Sequence, residues 1–161
     1  MITIDYQIAV KETSGLPEEA DLVKYAETAA RDLTDNASMT VRIAEEDESH
    51  ALNMEYRHVD RPTNVLSFPY ELPEDLPPEA LADFPENYLG DLVICKSVVE
   101  REAQEQNKTP EEHWAHMVVH GTLHLLGFDH ITDEEAREME TRETAALREL
   151  GFPDPYRDDE E

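Results

Sequence analysis

The chain has 161 residues, with 13 Lys+Arg against 39 Asp+Glu and a formal net charge of −26. That length buries one ordinary core, and a hydrophobic content of 39% excludes wholesale disorder. The charge argues against bulk electrostatic binding of arbitrary nucleic acid and against docking on an anionic membrane, both of which need clustered Lys and Arg.

The N-terminus has no basic segment followed by an apolar one, so no secretory leader is read there. Ile2, Ile4, Tyr6, Ile8 and Val10 alternate as in a strand. Beyond Gly15 and Pro17, the spacing of Leu22, Val23, Ala26, Ala29, Ala30 and Leu33 predicts an amphipathic helix, with Pro17 in its first turn. Residues 39–44 read as a second strand, 47–56 as a short helix, 58–64 as a loop, and Val65 to Phe68 as a third strand closed by Pro69. The proline-rich stretch 71–87 holds six acids and no base and is expected to be an exposed, mobile loop. Leu89 to Cys95 makes a fourth strand. Cys95 is the single cysteine, which excludes an intramolecular disulfide framework and CxxC motifs, and its apolar setting predicts burial. A helix from Ser97 to Gln106 follows. A longer one starts at Thr109-Pro110-Glu111-Glu112, which has capping-box spacing, and stops at Gly127. Thr132 or Asp133 caps a last helix that ends at Leu150-Gly151, and 154–161 is an acidic tail expected to fray. The expected fold is α+β. It is a single domain over residues 1–153, with a small mixed sheet of about four strands packed with about five helices. No apolar run nears the ~18 residues that span a bilayer, so a soluble, cytoplasmic protein without a membrane partner is expected.

Five of the seven histidines fall between His113 and His130. His120 and His124 are i and i+4 on the predicted helix, so both imidazoles share a face and can share an ion. Gly127 lets the chain turn so that His130 returns as a third ligand. Three nitrogens with a fourth position open suit a catalytic zinc at the end of a central helix, although such a donor set also accepts nickel, cobalt or copper. The spacing equals that of the metzincin proteases, His-x-x-x-His-x-x-Gly-x-x-His, except that their general-base Glu is replaced by Gly121. Asp129 either orients a histidine or caps the turn. His113 and His116 are expected to be solvated or to pack, His116 at the site's edge, and Met139 is expected in the core.

Residues 52–57, Leu-Asn-Met-Glu-Tyr-Arg, end a helix, and Pro62-Thr63-Asn64-Val65-Leu66-Ser67-Phe68-Pro69 is a turn leading into a strand. With Gly90-Asp91-Leu92-Val93-Ile94-Cys95 and His120 to His130, in that order, the chain resembles the bacterial YbeY family of endoribonucleases, also called ribosomal-RNA maturation factors. The resemblance spans roughly residues 40–151 and implies a single-domain α+β fold with one zinc on His120, His124 and His130. It places the family's functional arginine on Arg57, which makes Arg57 and the ligand His120 the candidate catalytic residues. The implied activity is single-strand-specific cleavage of RNA in maturation of the 16S rRNA 3′ end and in 70S ribosome quality control. Implied partners are precursor ribosomal RNA, the small ribosomal subunit and an Era-like GTPase. Two other classes compete: a zinc peptidase, against which Gly121 speaks, and a ribosome-assembly factor that uses the metal for shape alone.

The acidity is uneven. Residues 43–50, 71–87, 132–143 and 154–161 together carry −18, whereas 51–70 is neutral and 113–131 carries only Asp129. Lys96 and Arg101 are expected to extend a positive patch or to lie in solvent. Modest affinity for free RNA is the expectation.

Overall fold

A computed structural model describes residues 1–34, 36–70, 77–79, 87–129 and 131–156. The element order is β1 (Ile2–Ala9), α1 (Glu19–Ala30), β2 (Ala37–Ala44), α2 (Glu46–Arg57), β3 (Val65–Pro69), β4 (Tyr88–Cys95), α3 (Lys96–Glu105), α4 (Pro110–Leu125) and α5 (Asp133–Glu149). This is the single small α+β domain expected, with four strands and five helices among the described residues. The first helix begins two residues after Pro17, because Asp21 accepts the Glu18 N–H and so fixes the start there. Most of the stretch read as a mobile loop, 71–76 and 80–86, lies outside the described residues, as does His130.

The sheet order is β1-β2-β4-β3. β1 pairs parallel with β2 and β2 with β4, while β3 runs antiparallel to β4 at the edge. Alternation decides the faces. Ile2, Ile4, Met39, Val41, Ile43, Leu92 and Ile94 pack in one core with Leu22 and Ala26 of α1 and with Trp114, Val118 and Leu123 of α4. On the opposite face Ala44, Leu66 and Val93 meet Leu52 of α2 and Phe68. Cys95 is buried and free, and Met139 is in the core.

α4 is the central helix, touching α1, α3, α5, β3 and β4. Its ends are fixed by local chemistry. Thr109 Oγ1 accepts the Glu112 N–H at 3.1 Å, the Glu112 carboxylate accepts the Thr109 N–H at 2.9 Å, and Pro110 opens the first turn. At the other end Phe128 N–H reaches the Leu123 carbonyl and Gly127 N–H the His124 carbonyl, with Gly127 at φ 103°. That is a Schellman cap, for which a residue without Cβ is suited. Thr132, rather than Asp133, caps α5 by accepting the Glu135 N–H.

Of the tail expected to fray, Asp154 to Tyr156 are placed, and 157–161 lie outside the described residues. Asp154 to Tyr156 pack beside α4: Lys108, in the turn before that helix, donates through Nζ to the Pro155 carbonyl at 2.7 Å, and the Tyr156 ring stands edge-on to His116 of α4.

Candidate metal centre and its cleft

Every residue of α4 from Glu112 to Leu125 is buried except two, His120 and His124. Beyond its exposed first turn, the helix is immersed in the core and meets solvent through the imidazole pair. Their Nε2 atoms face each other at 3.1 Å, with ring centroids 4.6 Å apart. Nitrogens that close share either one proton or one cation between their lone pairs. Two ligands on a single tetrahedral zinc, each about 2.0–2.1 Å from it, would stand about 3.3 Å apart. The donor pair fits such an ion without rebuilding.

The orientation of His120 is set from behind. Its Nδ1 lies 2.5 Å from Oε1 of Glu143 on α5, and His116 Nε2 lies 2.8 Å from Oε2. Tyr156 donates its hydroxyl to the same carboxylate. Glu143 is fully buried. Burial alone would raise its pKa, but the hydrogen bonds from His116 and His120 outweigh that and hold it at about 2. An ionised carboxylate only accepts, so His120 bears its proton on Nδ1 and turns the bare Nε2 outward. His116 is pushed down by burial, and its Nδ1 is buried without a partner. Its ring is therefore neutral, with the proton on Nε2. The Tyr156 phenol is pushed up by burial first and then by the Glu143 charge, so it stays a donor.

His116, His120 and Glu143 also offer ligand atoms within 4.8 Å of one another and form a cluster that could hold a metal. An ion among those three would have to displace both protons that now bridge to Glu143. An ion at the His120–His124 pair, which faces the cleft, would replace only the one proton their Nε2 atoms can share and would leave both bonds to Glu143 intact.

That cleft has a volume of about 720 Å³ and joins the end of α4 to the turn after α2 and to the outer strand β3. His120, His124, Arg57, Arg61, Ser67 and Asp129 all line it. Arg57 arrives there because α2 ends on His58 in the left-handed region, φ 59°, with the His58 N–H on the Met54 carbonyl. The buried Asn53 then donates to the Arg61 carbonyl at 2.9 Å, and Ser49 exchanges two hydrogen bonds with Thr63, each 3.0 Å. Asn64 Nδ2 donates to Glu102, which also accepts from His113 Nε2 at 2.9 Å. These bonds tie the turn after α2 to α2 and α3, and the Tyr56 ring stands edge-on to Phe68 with centroids 5.1 Å apart, so the two motif blocks meet there directly.

The structure brings Arg57, His120 and His124 to one cleft. His113 and His116 are buried rather than solvated, because each meets a carboxylate inside the fold. Lys96 and Arg101 do not extend the cleft; they pair with Glu100 at 3.2 Å and Glu46 at 3.4 Å. The carboxylate behind His120 is Glu143, which the sequence reading missed. A signal was available: Met139, Glu143, Ala146 and Leu147 form one stripe of α5, and an acid inside an apolar stripe needs a buried partner. Gly121 has a packing reason of its own. A Cβ there would meet the two Leu92 methyls at 2.7 and 2.9 Å, so this position faces the sheet and cannot carry a base into the cleft.

A small α+β protein whose cleft joins a polarised histidine pair to two guanidinium groups is suited to an anionic substrate and to hydrolysis assisted by a metal. The comparisons agree on the class. The family model described as Endoribonuclease YbeY matches residues 7–151, and the chain belongs to that family. It is also similar to the solution structure of TM1509 from Thermotoga maritima, at 30% identity and a TM-score of 0.60, over 98% of this chain and 100% of that one. Membership makes the protein an endoribonuclease, a hydrolase that cleaves RNA in rRNA processing. Among the described residues, no helix is long and apolar enough to cross a membrane.

Proposed function

We propose that the chain is a zinc-dependent endoribonuclease specific for single-stranded RNA. In this reading His120, His124 and His130 hold the ion and Arg57 takes the scissile phosphate. The observation that supports it most is the facing Nε2 pair at 3.1 Å, backed by Glu143 and opening on the cleft that Arg57 lines. The substrate would be the 3′ end of precursor 16S rRNA on the small ribosomal subunit, with late 70S quality control as a second task in the cytoplasm and an Era-like GTPase as a partner.

The chain's own residues divide the work. Glu143 holds His120 in the tautomer that presents Nε2. Arg57 offers a planar fork that pairs with two phosphate oxygens and neutralises charge as it builds on the phosphoryl group. The Asn53, Ser49 and Glu102 hydrogen bonds keep the Arg57–Arg61 wall in place before substrate arrives. When bound, the ion supplies Lewis-acid polarisation of a phosphate oxygen or of water. The peptidase alternative loses further ground, since the position of its base is occupied by a glycine packed on Leu92.

The test is metal analysis of the purified protein together with cleavage of precursor 16S rRNA, wild type beside Arg57→Ala. Bound zinc in both proteins, with cleavage lost only in the variant, is the expected result. Zinc lost from Arg57→Ala would make that residue structural instead. Cleavage that persists after the metal is stripped would overturn the metal-dependent reading.

A further inference from the structure

The geometry points to Tyr156 as a positioning residue for the metal site: we propose that the C-terminal segment Asp154–Tyr156 is a latch that fixes His120 through Glu143. The inference rests on the metal reading above, because it assigns the latch an effect on a metal ligand.

Glu143 sits between two audiences. Toward the cleft, Oε1 accepts from His120 Nδ1 at 2.5 Å. Away from it, Oε2 accepts from His116 Nε2 at 2.8 Å and from the Tyr156 hydroxyl. A carboxylate bonded on only one oxygen can rotate about its terminal torsion, which is broad. His120 and His116 hold one oxygen each, but both stand on α4, so those two bonds fix Glu143 only relative to that helix; a charge-assisted bond from a separate element fixes the carboxylate against a second part of the fold. Tyr156 supplies the bond that comes from outside α4.

The segment is itself tied down. Lys108 Nζ donates to the Pro155 carbonyl at 2.7 Å, the Tyr156 N–H donates to Asp154 Oδ1 at 2.8 Å, and the Tyr156 ring contacts His116 edge-on with centroids 5.5 Å apart. Tyr156 as a residue remains 45% exposed while its hydroxyl reaches a carboxylate of zero exposure. A residue that only filled space would not need that hydroxyl. Tyr156→Phe therefore separates positioning from packing, since it keeps the ring and removes the donor.

The experiment uses the full chain as wild type, Tyr156→Phe, Lys108→Met and Glu143→Gln. Each is stripped of metal and titrated with Zn²⁺ against a chelator and with Co²⁺, whose visible spectrum reports ligand geometry. Thermal unfolding of the stripped proteins is followed in parallel. Loss of a direct partner of a ligating histidine costs about 10–100-fold in metal affinity, and Glu143→Gln should fall in that range. Tyr156→Phe, one bond further out, should lose roughly 3–10-fold and alter the Co²⁺ spectrum while the stripped protein melts close to wild type. Lys108→Met should shift affinity the same way by less. If wild type takes up neither ion, the metal reading fails and the latch with it. If wild type binds and Tyr156→Phe binds within twofold with an unchanged spectrum, the latch alone is overturned.

Discussion

Gly121→Ala is a direct test of how α4 is seated on the sheet. A Cβ at this position would stand 2.7 and 2.9 Å from the two methyls of Leu92 and 3.3 Å from its Cγ. Optimal carbon contacts lie at about 3.5–4.0 Å, so Leu92 must retreat by roughly 0.7 Å or more. Leu92 has no exposed surface, so it can retreat only into occupied core. Overpacking of this kind costs about 1–3 kcal/mol, while replacing a helical glycine by alanine returns about 1 kcal/mol. The expected net effect is a loss of about 1 kcal/mol, read as a fall in Tm of about 2–4 °C for a chain of this size. The double-mutant cycle with Leu92→Ala sharpens the test. With the methyls gone the clash disappears, and Gly121→Ala in that background should turn stabilising, giving a coupling of at least about 1 kcal/mol. Urea unfolding of the four proteins measures it. A Gly121→Ala protein more stable than wild type, or a cycle with no coupling, would refute the close approach of α4 to β4. The same geometry predicts that Gly121→Glu, which would restore the metzincin pattern, places a carboxylate against Leu92 and unfolds the chain rather than creating a peptidase.

Other expectations follow from the cleft and its walls. Arg57→Ala should lower kcat for RNA cleavage by about 10²–10³-fold with metal content unchanged, measured by turnover and metal analysis side by side. His124→Ala should release the metal, since one face of the Nε2 pair is then missing, and elemental analysis after gel filtration reads this directly. Arg57 and Arg61 together should give single-strand binding a log–log salt slope near −1.4, about −0.7 for each neutralised phosphate, and Arg61→Ala should reduce it by about 0.7. Tight, salt-insensitive binding to arbitrary RNA would contradict this. Burial pushes the Glu102 carboxyl up, but the bonds from His113 and Asn64 outweigh it and hold its pKa below the ordinary 4.5. Its stabilising effect is then complete above that value and lost as pH falls through the lower folded pKa. The stability gap between wild type and Glu102→Gln should be wider at pH 6 than at pH 3, and a gap that does not narrow on acidification would refute the assignment.

Local chemistry made the elements legible in the sequence. The Thr109–Glu112 box, Pro110 and Gly127 bound α4 where they were expected to, because each acts through backbone groups within one turn. Alternation in Ile2–Ala9 and Ala37–Ala44 likewise decided which side chains enter the core. The i, i+4 spacing put His120 and His124 on one face for the same local reason. What sequence order hides is the partner supplied by a distant element. Glu143 lies 23 residues from His120 and meets it only because α5 packs across α4. Tyr156, read as part of a frayed end, is ordered by that same carboxylate. The bond from Asn64 to Glu102 of α3, 38 residues on, is tertiary in the same way.

The net charge of −26 takes on meaning beside this arrangement. In a chain with three acids for every base, a cation on the surface has carboxylates within easy reach. Arg31, Arg42, Lys96 and Arg101 each pair with one. Arg57 and Arg61 form no ion pair among the described residues, although Asp60 adjoins Arg61 and Glu55 lies two residues before Arg57. Their backbone is held by the left-handed turn at His58 and by the Asn53 bond rather than by charge, so the fold fixes their positions without neutralising them. An anion entering the cleft then meets two guanidinium groups and pays no cost to break an existing salt bridge. The acidic surface elsewhere opposes approach of a polyanion from a distance, and salt screens that opposition beyond about 10 Å. On this arrangement the cleft wall with Arg57 and Arg61 is where a polyanion is expected to be attracted, and the acidic segments elsewhere are expected to limit its binding away from that wall.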